Sequence, residues 1–118
     1  MSEYNPDNWV VVKITKRNPD DGISRSVHKV LGGWSGGYLD GDSWRMNSGI
    51  TSVTIDESTF AFHGSSGSIY YCSKGMYGLR MSTLGIFNQL KDYADADESF
   101  TFGLMPEDTD WSTLDYSE

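Results

Sequence analysis

Cys72, His28 and His63 are the residue types from which a nucleophilic Cys–His pair is built. In such a pair the imidazole accepts the thiol proton, and the remaining thiolate attacks the substrate. A lone cysteine on a strand is, however, more often a small buried apolar side chain. We therefore assign no catalytic residue and predict that the chain is not an enzyme. A small enzyme with a Cys–His site remains an alternative.

The sequence contains no complete motif for other catalytic or ligand chemistry. Residues 33–37 read Gly-Trp-Ser-Gly-Gly and match the G-x-S-x-G pattern of serine hydrolases, but no helix is predicted after them. The histidines and the cysteine lack the paired spacing of zinc ligands, and residues 40–43 lack the further ligands of a calcium loop. The glycine fingerprints of nucleotide sites are also missing. The sequence therefore predicts no metal site and no cofactor.

Aromatic residues beside glycine-rich turns are the candidates for recognition. Tryptophan and tyrosine dominate the binding energy of protein interfaces, and a flexible turn can present them to a partner. The predicted partner-binding residues are Trp34, Tyr38, Trp44 and Tyr77. The alternative is that these rings form the core of a small β domain. In either case the five glycines within residues 32–41 predict a sharp bend around Trp34 and Tyr38.

All of the net charge of −8 lies at the C-terminal end of the sequence, because residues 1–90 carry eight acids and eight bases. Residues 91–118 carry nine acids against Lys91 alone. A neutral body with an acidic end repels nucleic acid, so a nucleic-acid partner is not favoured. The acids could solubilise the chain, dock on a basic partner or imitate DNA phosphates. The candidate acidic surface comprises Asp92, Asp95, Asp97, Glu98, Glu107, Asp108 and Asp110.

Basic residues cluster on the first predicted hairpin, close in sequence to Trp9 and Trp34. They are Lys13, Lys16, Arg17, Arg25 and Lys29. Cations beside aromatic rings suit single-stranded nucleic acid, but on a two-stranded ribbon they more often form a solvated face or protect an edge. They could also pair with the acidic end of the chain.

Alternation of apolar and polar residues predicts short strands through most of the chain. Residues 9–15 place Val10, Val12 and Ile14 on one face and Trp9, Val11 and Lys13 on the other. One helix is predicted from a cap at Ser82 or Thr83 through Ala94. Its apolar stripe comprises Ile86, Phe87, Leu90, Tyr93 and Ala94. Short turns between neighbouring strands leave no room for parallel crossovers. The predicted fold class is α+β, with an antiparallel, strongly bent or barrel-like sheet of six or seven short strands and one C-terminal amphipathic helix.

A length of 118 residues predicts one domain. We divide the chain into an N-terminal extension (1–8), an α+β domain (9–105) and an acidic C-terminal segment (106–118). In that last segment, Trp111, Leu114 and Tyr116 could dock on the body. No apolar run approaches the roughly 20 residues that span a bilayer, and no signal peptide is visible, so neither a membrane nor secretion is expected.

Three stretches of the sequence resemble small proteins of T4-like marine cyanophages. They are residues 33–49, residues 64–70 (Gly-Ser-Ser-Gly-Ser-Ile-Tyr) and residues 77–81 (Tyr-Gly-Leu-Arg-Met). The resemblance covers residues 9–90 and implies a phage protein that acts in the host cytoplasm, but it assigns no activity and no site. The expected function is a non-enzymatic protein-binding module, a small phage accessory protein that engages a host protein. The alternatives are an acidic DNA mimic that competes for a nucleic-acid-binding protein and the small enzyme described above.

Overall fold

Strand β2 (Asn8–Arg17) is covered on both of its faces. The computed structural model describes residues 3–37, 41–79, 81–96, 100–114 and 116. Within it, five consecutive residues of β2, from Asn8 to Val12, are buried. Neighbouring side chains of a strand point in opposite directions, so an unbroken run of buried residues requires a layer on each side.

Eight strands form two four-stranded sheets. The central sheet has the order β4 (Gly41–Met46), β3 (Ser24–Gly37), β2 and β8 (Phe100–Leu104). The outer sheet has the order β1 (Glu3–Tyr4), β7 (Ile69–Ser73), β6 (Thr59–Gly64) and β5 (Ile50–Ile55). Pairings between neighbouring strands of the described chain are antiparallel apart from β1 with β7, a parallel contact over two residues.

Two hydrophobic cores lie on opposite sides of the central sheet. The core between the two sheets contains Trp9, Val11, Val30, Ile50, Phe62, Tyr70, Cys72 and Trp111. On the other side, helix α1 (Met81–Asp95) covers Val10, Val12, Leu31 and Phe102. The predicted division of β2 into two faces is therefore confirmed. The molecule has three layers: outer sheet, central sheet and helix.

The prediction of an α+β fold with mostly antiparallel strands and one helix is confirmed, but two details of it are wrong. The strands form two open sheets of four, not one strongly bent or barrel-like sheet of six or seven. The helix precedes β8 and does not close the chain. Alternation within a strand shows which faces are apolar but not which strands share a sheet. Here consecutive strands β4 and β5 lie in different sheets, and Gly49 between them has a φ of 140°.

The helix also begins earlier than predicted. Because α1 starts at Met81, Ser82 and Thr83 lie inside its first turn and are not its cap. Thr83 is buried, and its hydroxyl oxygen accepts a hydrogen bond of 3.2 Å from the Asn8 side-chain amide. The same amide donates to the Gly78 carbonyl at 3.2 Å. Asn8 therefore ties the start of β2 to the start of α1. Four of the five predicted stripe residues pack on the sheet, whereas Tyr93 is 70% exposed.

The segment after β8 returns to the core between the sheets. Trp111 is 1% exposed, and its ring lies 6.0 Å from Trp9, 5.8 Å from Phe62 and 6.1 Å from Tyr77, measured between centroids. The Tyr116 hydroxyl donates to the Trp111 carbonyl at 2.7 Å, and the Tyr116 ring packs edge-on against His28. This segment therefore completes the core.

We expect replacement of Trp111 by alanine to lower the free energy of unfolding by about 3–5 kcal/mol, because it leaves a cavity among three aromatic rings. Urea denaturation measures the change. Trp44→Ala is the matched control, since Trp44 is 46% exposed and its loss leaves no closed cavity. Equal unfolding midpoints for the two variants would contradict this assignment.

We expect Thr83→Val to lower the free energy of unfolding by about 1–2 kcal/mol, because the buried Asn8 amide loses an acceptor. Thr101→Val is the control, as Thr101 is exposed on β8. A surface change of this kind alters stability by less than about 0.5 kcal/mol. If the Thr83 variant unfolds at the same temperature as the control, the Asn8–Thr83 contact does not stabilise the junction.

Candidate functional site

The four predicted partner-binding residues do not form one cluster. In the β3–β4 pairing, Gly33 lies opposite Trp44 and Trp34 lies opposite Ser43. Because residues that lie opposite each other in an antiparallel pair share a face, Trp44 is on the helix side of the central sheet and Trp34 is on the other side. Tyr38 lies outside the described residues. The glycine-rich segment that was expected to bend sharply continues β3 as strand, with an irregularity in register between Trp34 and Gly37.

Trp34 and Tyr77 support the fold in the described structure. The Trp34 indole N–H donates to the Asn5 carbonyl at 3.0 Å, and the ring packs edge-on against Tyr4. The Tyr77 ring lies 4.7 Å from the Trp9 ring, and its hydroxyl donates to the Met105 carbonyl. Burial raises the pKa of Tyr77 to about 12, so the hydroxyl stays protonated as a donor.

Of the three predicted partner-binding residues that the structure describes, Trp44 is the most exposed. Its strand, β4, is an edge of the central sheet, and 46% of the residue's surface is exposed. An edge strand presents backbone N–H and C=O groups that no neighbouring strand uses, and a second chain can pair with them. β4 therefore combines a backbone surface for pairing with a large apolar anchor.

Arg45 is a neighbour of this anchor that the sequence analysis did not select. It lies opposite Gly32 and so points away from Trp44, to the other side of the sheet. Its guanidinium carbon is 4.7 Å from the centre of the Tyr4 ring, a cation–π distance. The Tyr4 ring in turn lies 4.9 Å from that of Tyr70. Burial raises the pKa of Tyr70 to about 12, and the charge of Arg45 opposes that rise. Strand alternation after Trp44 is the signal that could have placed Arg45 on the opposite face.

The described residues of the candidate acidic surface lie in two groups. Asp92 and Asp95 are on α1, and Asp95 lies 3.9 Å from the Lys91 ammonium. Glu107, Asp108 and Asp110 follow β8 in the segment that leads to Trp111, on the other side of the central sheet. A hydrogen bond from the Ser112 hydroxyl to the Asp110 carboxylate, at 2.6 Å, lowers the pKa of Asp110. Asp97 and Glu98 lie outside the described residues.

The basic hairpin does not pair with these acids within the described residues. The two ion pairs there are Lys91 with Asp95 and Arg25 with Asp21, the latter at 3.8 Å within the hairpin itself. The Lys16 ammonium lies 5.5 Å from the centre of the Phe100 ring. Among the described residues of the C-terminal segment, apolar packing of Trp111 makes the contact with the body, and no ion pair joins them to the hairpin.

Cys72 is buried in the core between the sheets. Its thiol points toward the Tyr70 carbonyl at 3.7 Å, and burial raises the pKa of Cys72 well above its usual range. A raised pKa favours the neutral thiol, which is a poor nucleophile. His63 instead lies on the surface side of β6, where Nε2 is 3.0 Å from the Thr54 hydroxyl. Across the described ranges, no group of three or more His, Cys, Asp and Glu side chains could hold a metal ion.

We expect the Cys72 thiol of the folded protein to react with a thiol-specific disulfide reagent at least about 100-fold more slowly than the thiol of the urea-unfolded chain. Absorbance of the released thiolate follows the reaction. Ser66→Cys is the control, because Ser66 is exposed in the β6–β7 turn and a thiol there is accessible. Rapid labelling of Cys72 in the native chain would instead favour the Cys–His alternative.

Neither a membrane span nor a known relative identifies what this site does. Within the part of the chain that the structure describes, no helix is long and apolar enough to cross a membrane. No protein-family model, curated protein or solved structure matches the chain.

Proposed function

We propose that the chain is a non-enzymatic protein-binding module whose partner docks on edge strand β4, with Trp44 as the apolar anchor. The observation that supports this most directly is the exposure of Trp44. It is 46% exposed, whereas Trp9 and Trp111 are each 1% exposed. A half-exposed indole gains hydrophobic stabilisation when a partner covers it.

The edge strand supplies the geometry of docking. A strand of the partner adds to β4 through main-chain hydrogen bonds, and its side chains meet the two faces of the central sheet alternately. On one face it meets the Trp44 indole. On the other it meets Arg45, whose charge and planar donor group favour a partner carboxylate. The affinity then comes from the backbone and Trp44, and Arg45 contributes selectivity.

The resemblance to cyanophage proteins supports a role as a small phage accessory protein that engages a host protein in the host cytoplasm.

The geometry supports an acidic DNA mimic less well. A mimic presents carboxylates at phosphate-like intervals along one face, whereas the described acids lie on α1 and in the segment leading to Trp111. The small-enzyme alternative lacks an accessible thiol, because Cys72 is buried.

We expect Trp44→Ala to weaken partner binding by about 2 kcal/mol, roughly 30-fold, and to leave the melting temperature nearly unchanged. Immobilised full-length chain captures the partner from host lysate, and titration of the captured protein measures the affinity. Leu104→Ala is the matched control, because Leu104 is 45% exposed on β8, the opposite edge of the same sheet.

Loss of the same captured protein with the Trp44 variant but not with the Leu104 variant supports docking on β4. If neither variant changes what is captured, Trp44 is not the anchor. A partner lost equally with both variants would place the interface on the whole helix side of the sheet.

A further inference from the structure

A groove of about 360 Å³ runs beside the C-terminal turns of α1. Its floor crosses the four strands of the central sheet at Met46, Lys29, Ile14 and Phe102. Its helical wall is formed by Leu90, Tyr93 and Ala94. The groove exists because the helix covers Val10, Val12 and Leu31 but the helix-facing side of the sheet continues beyond it.

This groove is apolar and open to solvent. Apart from Lys29 and the hydroxyl of Tyr93, its lining side chains are hydrocarbon, aromatic or thioether groups. Tyr93, at one rim, is 70% exposed. A concave apolar surface of this volume falls within the range of small-molecule sites, about 300–1,000 Å³. Filling it would remove apolar surface from water.

Two lysines, one on either side of Ile14 along the strands, lie in or beside the groove. Lys29 lines it, and Lys16 continues on the same side of the sheet, with its ammonium 5.5 Å from the ring centre of Phe100, another lining residue. Lys16 and Arg25 line an adjoining pocket of about 260 Å³, which also contains Asp20. Arg25 is partly neutralised by Asp21 at 3.8 Å, whereas neither lysine belongs to an ion pair of the described residues. The apolar groove therefore has one unneutralised ammonium group in its lining, that of Lys29, and a second, that of Lys16, lies beside Phe100.

We propose that this groove binds a linear carboxylate amphiphile, a medium-chain fatty acid in its chemistry. The carboxylate meets Lys29, and the acyl chain runs from there across Ile14 and Phe102 beneath the helical wall. Charge complementarity selects an anion, and the scarcity of polar groups selects an acyl chain over a peptide segment. The amides of a peptide lying in the groove would lose water without gaining partners, which is costly, whereas an acyl chain carries no such groups.

This site is independent of the proposed protein-binding function. Trp44 does not line the groove, and the β4 edge is not needed to hold an acyl chain. Loss of one activity therefore leaves the other intact.

Isothermal titration of the full chain with octanoate, decanoate and dodecanoate, below their micelle concentrations, tests the proposal. Each added methylene that enters the groove should tighten binding about fourfold until the groove is filled. Decyltrimethylammonium, which has the same tail length as decanoate and the opposite charge, should bind at least tenfold more weakly than decanoate.

Two pairs of variants locate the ligand. Ala94→Trp fills the groove and should weaken decanoate binding at least tenfold, whereas Asn88→Trp, at an exposed position on the same helix, should not. Lys29→Gln should weaken binding of decanoate about tenfold and that of the cationic amphiphile not at all. Its control is Lys13→Gln, on the opposite face of β2. The Lys29 pair keeps the test valid if the Ala94 variant fails to fold.

Three results would each overturn the proposal. The first is equal affinity for decanoate and the cationic amphiphile. The second is equal weakening by the Lys29 and Lys13 variants, which would mean general charge attraction. The third is no binding of decanoate together with binding of an acidic peptide that has a phenylalanine anchor and is weakened by Ala94→Trp, which would assign the groove to a protein segment.

Discussion

The burial of β2 on both faces is the constraint from which the rest of the structure follows. Trp9 and Val11 need an apolar layer on one side, and Val10 and Val12 need another on the opposite side. The outer sheet and Trp111 supply the first, and α1 supplies the second. The Trp9 indole holds the first contact in place, because its N–H donates to the Ser73 carbonyl of the outer sheet at 2.7 Å while its ring packs against four other aromatic rings. An unpaired indole N–H in such a core would be costly, so this hydrogen bond favours the arrangement in which Trp9 faces β7.

Covering β2 leaves the outer parts of the central sheet incompletely covered. A 15-residue helix protects Val10 and Val12 but not the whole helix-facing side of a sheet whose longest strand has 14 residues. Two features result from this mismatch. The β4 edge keeps an exposed Trp44, and the sheet beyond the helix forms an apolar groove with Lys29 in its floor. Both proposals concern surfaces that the packing around β2 does not cover.

The acidic end of the chain is part of the folded structure although it carries the net negative charge. The segment is rich in carboxylates, yet Trp111 within it is among the most buried side chains of the described chain. Apolar burial of one large ring outweighs the repulsion of acids that stay in water, since exposed charges interact weakly across solvent. The acids that follow β8 lie at the surface of a segment that the core holds in place.

The sequence by itself determined the local features: the two faces of β2, the helix with four of its five stripe residues, and the mostly antiparallel α+β class. These depend on alternation, helical periodicity and turn-forming residues, which act over a few positions. Only the tertiary structure decided that the strands divide into two open sheets, that Tyr77 joins the core while Trp44 stays exposed, and that Lys29 and Ile14 meet Leu90 in one groove. Trp44 and Tyr77 are both aromatic residues close to glycines in the sequence. They differ in whether a distant segment of the chain covers them. That covering depends on which strands pair and where the helix ends on the sheet, and these long-range contacts leave no periodic signal in the sequence.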